Sequence, residues 1–455
     1  MLALAVVGAI VFGADAPKTF VLTTRLDVWD VAFADLNGDS NKDILAFCAD
    51  PRSYPLKKSL VAFLADEQGR YQAEPFAELL LDPSVGTAFV AETDGKAPQE
   101  VVIMGQSGAS VYRLSGSRFE LLAESHFSSL YPTGATEPIF LSDSAVDLDG
   151  DGIDEWLVPV AGGYEIRNQA GLVTAVPAHV ESEIREFGAL VIQHRLPTIH
   201  TYEQPNTSGK GLAFLSDRFA DFSYGPGWTS HYRYQIPLHL DDRWESFARM
   251  DDINGDGFPD LLVTQTEGTI NLKVQTQIYV ADKPFSYPES PTAQFTSKGS
   301  FTTPALLDVN QDGRSDVILI SVPLGLRNLI NYFFRRKVSV QIDAYLYTDG
   351  GFSEKPSFRT HITMEAPEGR ERVAYTMGDF TGDGQLDAAM GISAEKLAVY
   401  EGDAKTFLSA KPWKTFALPS FGVARSVDLD GSGTDDIVLF HPSGDHKKRI
   451  DIILF

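Results

Sequence analysis

Short apolar runs recur along the whole chain, separated by turns rich in Gly, Asn, Asp and Ser. In the first repeat the runs are ILAF from Ile44, SLVAFL from Ser59, a weaker run through Tyr71, and GTAFVAE from Gly86. Short β-prone runs bounded by turn residues predict strands rather than helices. About four such strands fall within each period, and four strands per repeating unit is typical of a β-propeller blade.

A polar segment of nine residues precedes one apolar run in each period. It carries Asp at position 1, oxygen-bearing residues at positions 3 and 5, usually Gly at position 6, and an acid at position 9. Six copies begin at Asp35, Asp147, Asp252, Asp308, Asp379 and Asp428. A decayed copy begins at Glu92, and a stretch from Glu203 fits in its position and in the apolar run that follows it.

The spacing of these segments predicts the fold class, an all-β protein forming a single β-propeller of four-stranded blades. Eight blades are favoured, and seven are the alternative if the stretch near Glu203 is not a blade. After the last polar segment only two apolar runs remain, IVLF and RIDIILF, whereas KTFVLTTRL before the first segment supplies one extra strand. We therefore expect the N-terminal strand to complete the last blade and close the ring.

The nine-residue pattern also predicts metal binding. Ca²⁺ takes about 6 to 8 oxygen ligands, and the oxygen groups of this pattern suit it. An EF-hand would add a Glu at position 12 and flanking helices, whereas position 12 is apolar here and the flanks are predicted strands. We expect about six Ca²⁺ sites. Their predicted ligands are Asp35, Asn37, Asp39, Asn41, Asp43, Asp147, Asp149, Asp151, Glu155, Asp252, Asn254, Asp256, Asp260, Asp308, Asn310, Asp312, Asp316, Asp379, Thr381, Asp383, Asp387, Asp428, Asp430, Ser432 and Asp436.

These segments and their period resemble the FG-GAP/VCBS repeats of integrin α-subunit propellers and of many bacterial secreted proteins. The resemblance covers nearly the whole chain after residue 16. It implies calcium in the loops that join strands one and two of each blade, on one face of the propeller. It also implies an adhesion head, an interaction scaffold or an appendage of an enzyme, so the class of function stays open.

The first sixteen residues, MLALAVVGAIVFGADA, are apolar and end in Ala14, Asp15 and Ala16. Such a run is too short to span a bilayer and is typical of a secretory signal peptide, leaving a propeller domain at 17–455. No other stretch predicts a transmembrane segment. We expect a secreted protein, located extracellularly, at the cell surface or in the periplasm.

Charge is distributed unevenly along the chain. The formal net charge is −24, but three of the predicted loops between strands two and three, 50–58, 323–337 and 441–449, are rich in basic residues. Their basic residues are Arg52, Lys57, Lys58, Arg327, Arg335, Arg336, Lys337, Lys447, Lys448 and Arg449. A basic face of this kind predicts an acidic polysaccharide, an anionic cell-surface polymer or an acidic protein as partner. The alternative is ordinary solvated hairpin tips, and nucleic acid is not expected at a pI near 4.7.

Two segments stand out from the repeats. Segment 323–337 predicts a helical insertion with Leu326, Leu329, Ile330, Phe333 and Phe334 on or near one side. We expect that side to pack over the central channel, with docking on a partner or a membrane as the alternative. Segment 222–234 is aromatic, and Trp228 and Tyr232 are candidates for contact with a sugar or a protein. Blade packing is the alternative for those two side chains.

Two further expectations concern chemistry. In the decayed copy, Lys96 replaces the acid of position 5, and we expect a metal-free turn with a solvated Lys96; the alternative is that its ammonium group pairs with Glu92, Asp94 and Glu100. The sequence contains no Gly-x-Ser-x-Gly, His-Glu-x-x-His or phosphate-loop motif. A binding, adhesion or protein-interaction module is therefore expected more than an enzyme. A polysaccharide-degrading lyase or hydrolase and a structural subunit of a surface complex remain alternatives.

Overall fold

The computed structural model describes residues 17–186, 190–204, 209–238, 244–268, 272–323, 325–349, 351–366, 372–403 and 405–455. The predicted signal peptide at residues 1–16 lies outside the described residues. Within these ranges the chain forms an all-β propeller of eight four-stranded antiparallel blades. The eight-blade prediction is confirmed, because the stretch around Glu203 lies inside a complete blade.

Each blade is a four-stranded meander whose strands follow one another in the sequence, except in blade 8. The strands of blade 1 are Asp27–Ala34, Asp43–Asp50, Lys57–Phe63 and Ala77–Leu81. Those of blade 2 are Thr87–Ala91, Glu100–Gly105, Gly108–Ser115 and Arg118–His126. Those of blade 3 are Ala145–Val146, Glu155–Val160, Gly163–Asn168 and Gly171–Pro177. Those of blade 4 are Thr198–Glu203, Lys210–Leu215, Phe219–Tyr224 and Ser230–Gln235.

The second half of the chain repeats this plan. The strands of blade 5 are Trp244–Asp251, Asp260–Glu267, Lys273–Tyr279 and Ala293–Lys298. Those of blade 6 are Ser300–Leu307, Asp316–Pro323, Lys337–Tyr345 and Phe358–Glu365. Those of blade 7 are Tyr375–Gly378, Asp387–Ser393, Lys396–Tyr400 and Lys414–Ala417. Those of blade 8 are Val423–Val427, Asp436–Phe440, Arg449–Leu454 and, from the other end of the chain, Lys18–Thr23.

The ring is closed as predicted. Strand Lys18–Thr23 pairs antiparallel with Arg449–Leu454, so that Lys18 lies opposite Leu454 and Thr23 opposite Arg449. The fourth strand of blade 8 therefore comes from the beginning of the sequence, and its third from the end.

A few short elements lie outside the eight meanders. An α-helix, Leu326–Arg335, connects the second and third strands of blade 6, within the segment where a helix was predicted. A separate hairpin stands between blades 3 and 4. The remaining elements are Ile139–Phe140, the hairpin strands Glu181–Glu186 and Leu190–Arg195, the short strand pairs Tyr347–Thr348 with Gly351–Phe352 and Gly402–Asp403 with Phe407–Leu408, and the 3₁₀ turns Ser142–Ser144 and Pro226–Trp228.

The hydrophobic core consists of eight clusters, one between each pair of neighbouring blades. In blade 1, Ile44 and Ala46 belong to the cluster shared with blade 8, whereas Leu45 and Phe47 belong to the one shared with blade 2. A strand buried on both sides needs apolar residues at every position. The uninterrupted apolar runs of the sequence are the second strands, which lie between two neighbouring blades.

The meander order also fixes which connections share a face. The turns between the first and second strands of all blades lie at one end of the sheets. The connections between the second and third strands lie at the other end. We call these two ends the turn face and the opposite face.

Candidate functional site

Every predicted metal loop joins the first and second strands of its blade, so all six lie on the turn face. We call them the acidic loops. They comprise residues 35–43, 147–155, 252–260, 308–316, 379–387 and 428–436.

The acid at position 1 folds the loop around itself. In blade 5, Asp252 Oδ1 accepts the backbone N–H groups of Gly255 at 2.8 Å and Asp256 at 3.1 Å, and Oδ2 accepts that of Gly257 at 2.7 Å. Asp256 Oδ1 then accepts the N–H of Phe258 at 2.8 Å. The same three bonds recur from Asp35 and Asp379. The bond from the N–H of position 6 is present in all six acidic loops. The Asp-rich pattern therefore specifies a tight turn that gathers its own carboxylates.

Position 6 of these loops has a left-handed backbone. In five loops it is a Gly with φ between 79° and 85°, for example Gly257 at 85° and Gly313 at 79°. Glycine has no Cβ and adopts this conformation without strain. Blade 1 is the exception, because Ser40 holds φ at 72° there.

The acid at position 9 is buried and holds two strands together. Asp260 Oδ2 accepts the N–H of Ile253 at 3.0 Å, and Oδ1 accepts that of Ala281 at 2.8 Å. Desolvation raises the pKa of Asp260 and of Asp436 to about 7, and hydrogen bonds from the backbone only partly offset it. Ionised carboxylates have about four lone-pair positions, so each retains acceptor capacity for a cation. The sequence predicted a ligand here, and the structure adds a role in pinning the loop.

Two acidic loops bring three carboxylates close enough to share one ion. One oxygen each from Asp147, Asp149 and Asp151 lie within 4.8 Å of one another, and so do those of Asp428, Asp430 and Asp436. Asp428 Oδ1 is buried and has no hydrogen-bond partner among the described residues. A buried carboxylate oxygen without a partner is costly, and a bound cation would satisfy it. These residues fit a hard metal ion.

The decayed loop of blade 2 has an internal cation, which is not Lys96. The Arg113 guanidinium, on the third strand, donates to Asp94 Oδ2 at 2.8 Å and, through Nε, to buried Glu100 Oε1 at 2.7 Å. Lys96 is exposed and contributes its backbone N–H to Glu92 at 2.8 Å. The alternative of a pairing through Lys96 is wrong, because the side chain that reaches the acids comes from 13 residues beyond Glu100.

Neighbouring loops on the turn face are joined to one another. The N–H of Gln99 donates to the Asp35 carbonyl at 3.0 Å, that of Asp154 to the Glu92 carbonyl at 2.8 Å, and that of Lys42 to the Leu429 carbonyl at 3.3 Å. Each bond runs from position 8 of one loop to the start of the preceding loop. In blade 5 position 8 is Pro259, which has no N–H to donate. The loops therefore support each other around much of the ring.

On the opposite face, part of the predicted basic set converges at the seam between blades 8 and 1. A cavity of about 400 Å³ is lined there by Arg52, His446, Lys447, Lys448 and Arg449, together with Asp27 and Asp445. We call it the seam pocket. Its basic groups are partly engaged, because Arg449 binds Asp451 at 2.5 Å and Arg52 lies 4.0 Å from Asp27. Lys447 lies 5.9 Å from the ring centre of Trp29.

Other members of the predicted basic face do not join the seam pocket. Lys58 is buried, and its ammonium group donates to the Val85 carbonyl. The prediction that Lys58 faces a ligand is wrong, because its side chain points between blades. Lys57 is exposed on the same strand. Arg335, Arg336 and Lys337 are exposed on blade 6, two blades away, and the side chain of Arg327 lies outside the described residues.

The predicted aromatic contacts of blade 4 serve packing. Trp228 is buried between blades 3 and 4, and its Nε1–H donates to the Lys210 carbonyl at 2.8 Å. It is therefore not a surface ligand contact, which corrects the prediction. Tyr232 is partly exposed, and its ring lies 5.3 Å from that of Phe285 and 6.2 Å from that of Phe222. The alternative of blade packing describes both side chains.

One exposed aromatic was missed. Tyr54 is fully exposed at the tip of loop 50–58. This loop lies on the opposite face and also carries Arg52. An aromatic residue between Ser53 and Pro55, at the tip of a predicted turn, was the available signal.

A second cavity, of about 520 Å³, lies against the inner strands of blades 4 and 5. His200, Arg249 and Asp251 contribute to its wall. His200 Nε2 is buried without a hydrogen-bond partner among the described residues, and burial lowers the pKa of its imidazole. The acidic residues of this wall outnumber its arginines, whereas basic residues outnumber acidic ones in the seam pocket.

Comparisons with known proteins agree with this architecture. A family model described as FG-GAP-like repeat matches residues 252–319, which span two neighbouring acidic loops. A search of curated proteins finds no sequence that matches the chain. Among the described residues, no helix combines the length and the apolar character needed to cross a membrane.

Similar solved structures share only remote sequence identity. A lectin from Agrocybe aegerita that recognises non-reducing terminal N-acetylglucosamine is 12% identical, with 96% of this chain and 99% of that chain covered and a TM-score of 0.44. A chain from the structure of BBS1N in complex with ARL6DN is 10% identical, with 96% and 95% covered and a TM-score of 0.38. A chain of the S. cerevisiae core factor is 7% identical, with 97% and 61% covered and a TM-score of 0.38.

The fold and the family match together support a binding or protein-interaction module in general terms. The chain is a β-propeller of eight four-stranded blades, and an FG-GAP-like repeat spans its residues 252–319.

Proposed function

We propose that this protein is an exported, calcium-stabilised binding module that holds an acidic polysaccharide in the seam pocket. The observation that carries the proposal is the convergence of Arg52, Lys447 and Lys448 in one concave site on a protein with a net charge of −24. A local basic patch concentrates anionic ligands even when the whole molecule is acidic.

Calcium would act on stability rather than at the ligand. The six acidic loops would hold it through positions 1, 3, 5 and 9, where Asp428, Asp430 and Asp436 already lie close together. The ion would supply positive charge to carboxylates that otherwise repel one another across a tight turn. Because these loops and the seam pocket lie on opposite faces, calcium would maintain the scaffold without contacting the ligand.

Tyr54 favours a sugar polymer over a simple anion. Its ring is fully exposed on the loop that also carries Arg52. Aromatic rings present a flat apolar face, and basic groups recognise carboxylate or sulfate. An uronic-acid or sulfated polysaccharide offers both chemistries along one chain. A cell-surface protein with an acidic, sugar-free segment would use the basic groups and leave Tyr54 without a role.

Export is part of the same proposal. The apolar residues before Pro17 would direct secretion, and Cys48, the single cysteine, is buried and needs no disulfide partner. N-terminal sequencing of protein recovered from the medium, the periplasm or the cell surface tests this step. A mature protein that begins at or near Pro17 is expected, and one that retains Met1 would contradict export through this signal.

The ligand proposal is tested by pulldown of calcium-loaded protein on acidic and neutral polysaccharides, with bound protein and polymer length read from the same tube. We expect salt-sensitive binding to acidic polymers without shortening. The seam variant Arg52→Glu with Lys448→Glu should lose at least about tenfold in affinity, because two attractive charges become repulsive. The control Arg118→Glu with Lys405→Glu makes the same charge change at exposed sites outside the opposite face and should bind as the wild type.

The other outcomes point to different functions. Shortening of the polymer would make this protein a polysaccharide-degrading enzyme. Equal binding by the seam variant and the control would show that the seam pocket is not the site. No binding to any polymer would overturn the polysaccharide proposal in favour of a protein partner or of a structural role in a surface complex.

A further inference from the structure

The helix Leu326–Arg335 presents its described apolar side chains to solvent. Among its described side chains, Ile330 is 48% exposed, Phe333 is 72% exposed and Phe334 is 83% exposed. Asn331, a polar residue, is the least exposed of them. The expectation that the apolar side packs over the central channel is therefore wrong for these three apolar residues, and the side chains of Leu326 and Leu329 lie outside the described residues. A helix normally turns such a stripe toward the core, so this one is arranged for contact with something outside the propeller.

The base of the helix is firmly attached to blade 6. Arg336 ends it in a left-handed conformation with φ of 54°, and its N–H donates to the carbonyls of Asn331 and Tyr332. The Arg336 carbonyl accepts the N–H of Ala366 at 2.8 Å, directly after the fourth strand of the blade. The exposed stripe is thus held by defined contacts at the point where it meets the propeller.

Basic residues follow directly after the exposed aromatic ones. Arg335, Arg336 and Lys337 are consecutive and exposed, and segment 323–337 contains no acid. A short helix with aromatic residues on one side and cationic residues beside them matches an anionic lipid surface. Its rings would enter the headgroup boundary, while its cations remain at the lipid phosphates.

We propose that this helix binds the surface of an anionic lipid bilayer. Tyr332, partly exposed beside Phe333 with ring centres 5.3 Å apart, belongs to the same patch. A second copy of the chain fits less well. The three or four side chains of this patch offer far less area than the roughly 800 Å² per partner of a stable interface.

The net charge of −24 does not prevent this contact. At about 0.1 M salt, charges more than about 10 Å apart are largely screened from each other. The acidic loops lie on the turn face, whereas the helix lies on the opposite face. A membrane that meets the helix therefore interacts mainly with the local basic cluster.

Vesicle flotation of the full chain tests the proposal, with neutral phosphatidylcholine vesicles beside vesicles containing about 30% phosphatidylserine, as a fraction typical of an anionic surface. We expect flotation with the anionic vesicles only. Phe333→Ser with Phe334→Ser should reduce it at least about tenfold, because the inserted apolar area is removed. Arg335→Gln with Arg336→Gln should reduce it by about fivefold per residue. The control Leu80→Ser with Tyr375→Ser removes side chains that are 78% and 68% exposed elsewhere, and it should float as the wild type.

Three results would overturn the inference: no flotation with anionic vesicles, equal flotation of the Phe variant and the control, or self-association that the Phe variant abolishes while flotation stays unchanged. If the Phe variant and the control float equally, calcium bridging between the acidic loops and the lipid would be indicated instead. This test is independent of the polysaccharide proposal, since the seam variant Arg52→Glu with Lys448→Glu should still float.

Discussion

Blades 2 and 3 are neighbours that build the same nine-residue turn and balance its charge in opposite ways. Both place a buried Glu at position 9, Glu100 in blade 2 and Glu155 in blade 3. In blade 2, Arg113 on the third strand donates to Glu100. The corresponding residue of blade 3 is Asn168. Val101 lies opposite Tyr112, and Trp156 lies opposite Arg167. Because the strands are antiparallel, Glu100 therefore faces Arg113, and Glu155 faces Asn168.

This difference shows that one position on the third strand can supply a cation to the loop from within the chain. The blade 2 loop keeps its backbone because a guanidinium group holds its acids. In blade 3, desolvation by burial and then the nearby Asp149, Asp151 and Asp147 raise the pKa of Glu155 to about 7. A loop with so much uncompensated negative charge is one that would gain from a bound metal ion. Blade 2 shows that the nine-residue turn keeps its fold when a guanidinium group lies among its acids.

Removing calcium should have the largest effect, because it acts on blade 3 and the five similar loops but not on blade 2. At about 2 mM free calcium, sites with Kd of about 10⁻⁴ to 10⁻³ M each contribute about 0.6 to 2 kcal/mol. Six sites together should therefore shift the melting temperature by about 5–10 °C for a domain of this size. Calorimetry with calcium and with EDTA measures the shift, with magnesium as control. Identical melting in both would contradict metal-supported loops.

Arg113→Asn should give the next largest effect, by making blade 2 resemble blade 3. Glu100 loses its cation while it stays buried, and breaking such a pair costs about 3 kcal/mol. We expect this loss by denaturant unfolding in calcium and in EDTA alike, whereas Arg118→Asn, on the neighbouring strand, should be neutral.

Adding Lys96→Asp to Arg113→Asn sharpens the test. This double variant restores an acid at position 5, so calcium should recover part of the lost stability and isothermal titration should count about one more ion per chain. A single Arg113→Asn variant as stable as the wild type would show that the guanidinium does not hold the loop.

The pH dependence of stability in the absence of metal should be a smaller effect. Desolvation raises the pKa of Glu155 and Asp260 to about 7 and that of Asp43 to about 6, above the usual unfolded values near 4. The metal-free folded state therefore binds more protons than the unfolded state between about pH 4 and pH 7, and it loses stability as the pH rises. In EDTA we expect melting to be a few degrees higher at pH 5 than at pH 7.5. Calcium competes with these protons, so its stabilising effect should be smaller at pH 5, and a pH-independent EDTA effect would contradict the assignment.

Ser40→Gly should have the smallest effect. Ser40 holds φ at 72° where five other loops have Gly, and relief of that conformation should stabilise blade 1 by at most about 1 kcal/mol. Urea unfolding measures it, and Ser84→Gly, at an exposed turn, serves as control. A destabilised Ser40→Gly variant would show that the Ser40 side chain is needed in the loop.

Apart from ring closure, which followed from counting strands, the features that the sequence predicted correctly are local ones. Each acidic loop is encoded by nine consecutive residues, so its period identified eight blades and the strand that closes the ring. The errors concern partners that are distant in sequence. Arg113 reaches the acids of blade 2 from the third strand, Lys58 donates to Val85 of the next blade, and Trp228 is covered by blade 3. The helix of blade 6 lies in the segment where the spacing of apolar residues predicted it. That spacing does not determine which side of the helix meets the propeller.

Ring closure has a consequence for the order of folding. Thr23 pairs with Arg449, and at about 5–20 residues per second roughly 20 to 90 s separate their synthesis. Throughout that time the strand Lys18–Thr23 has no sheet to join, and blade 1 has no eighth blade to cover Val28 and Ile44. The nascent propeller is an open arc with two exposed edges, and its last strand pairing is also its most non-local one.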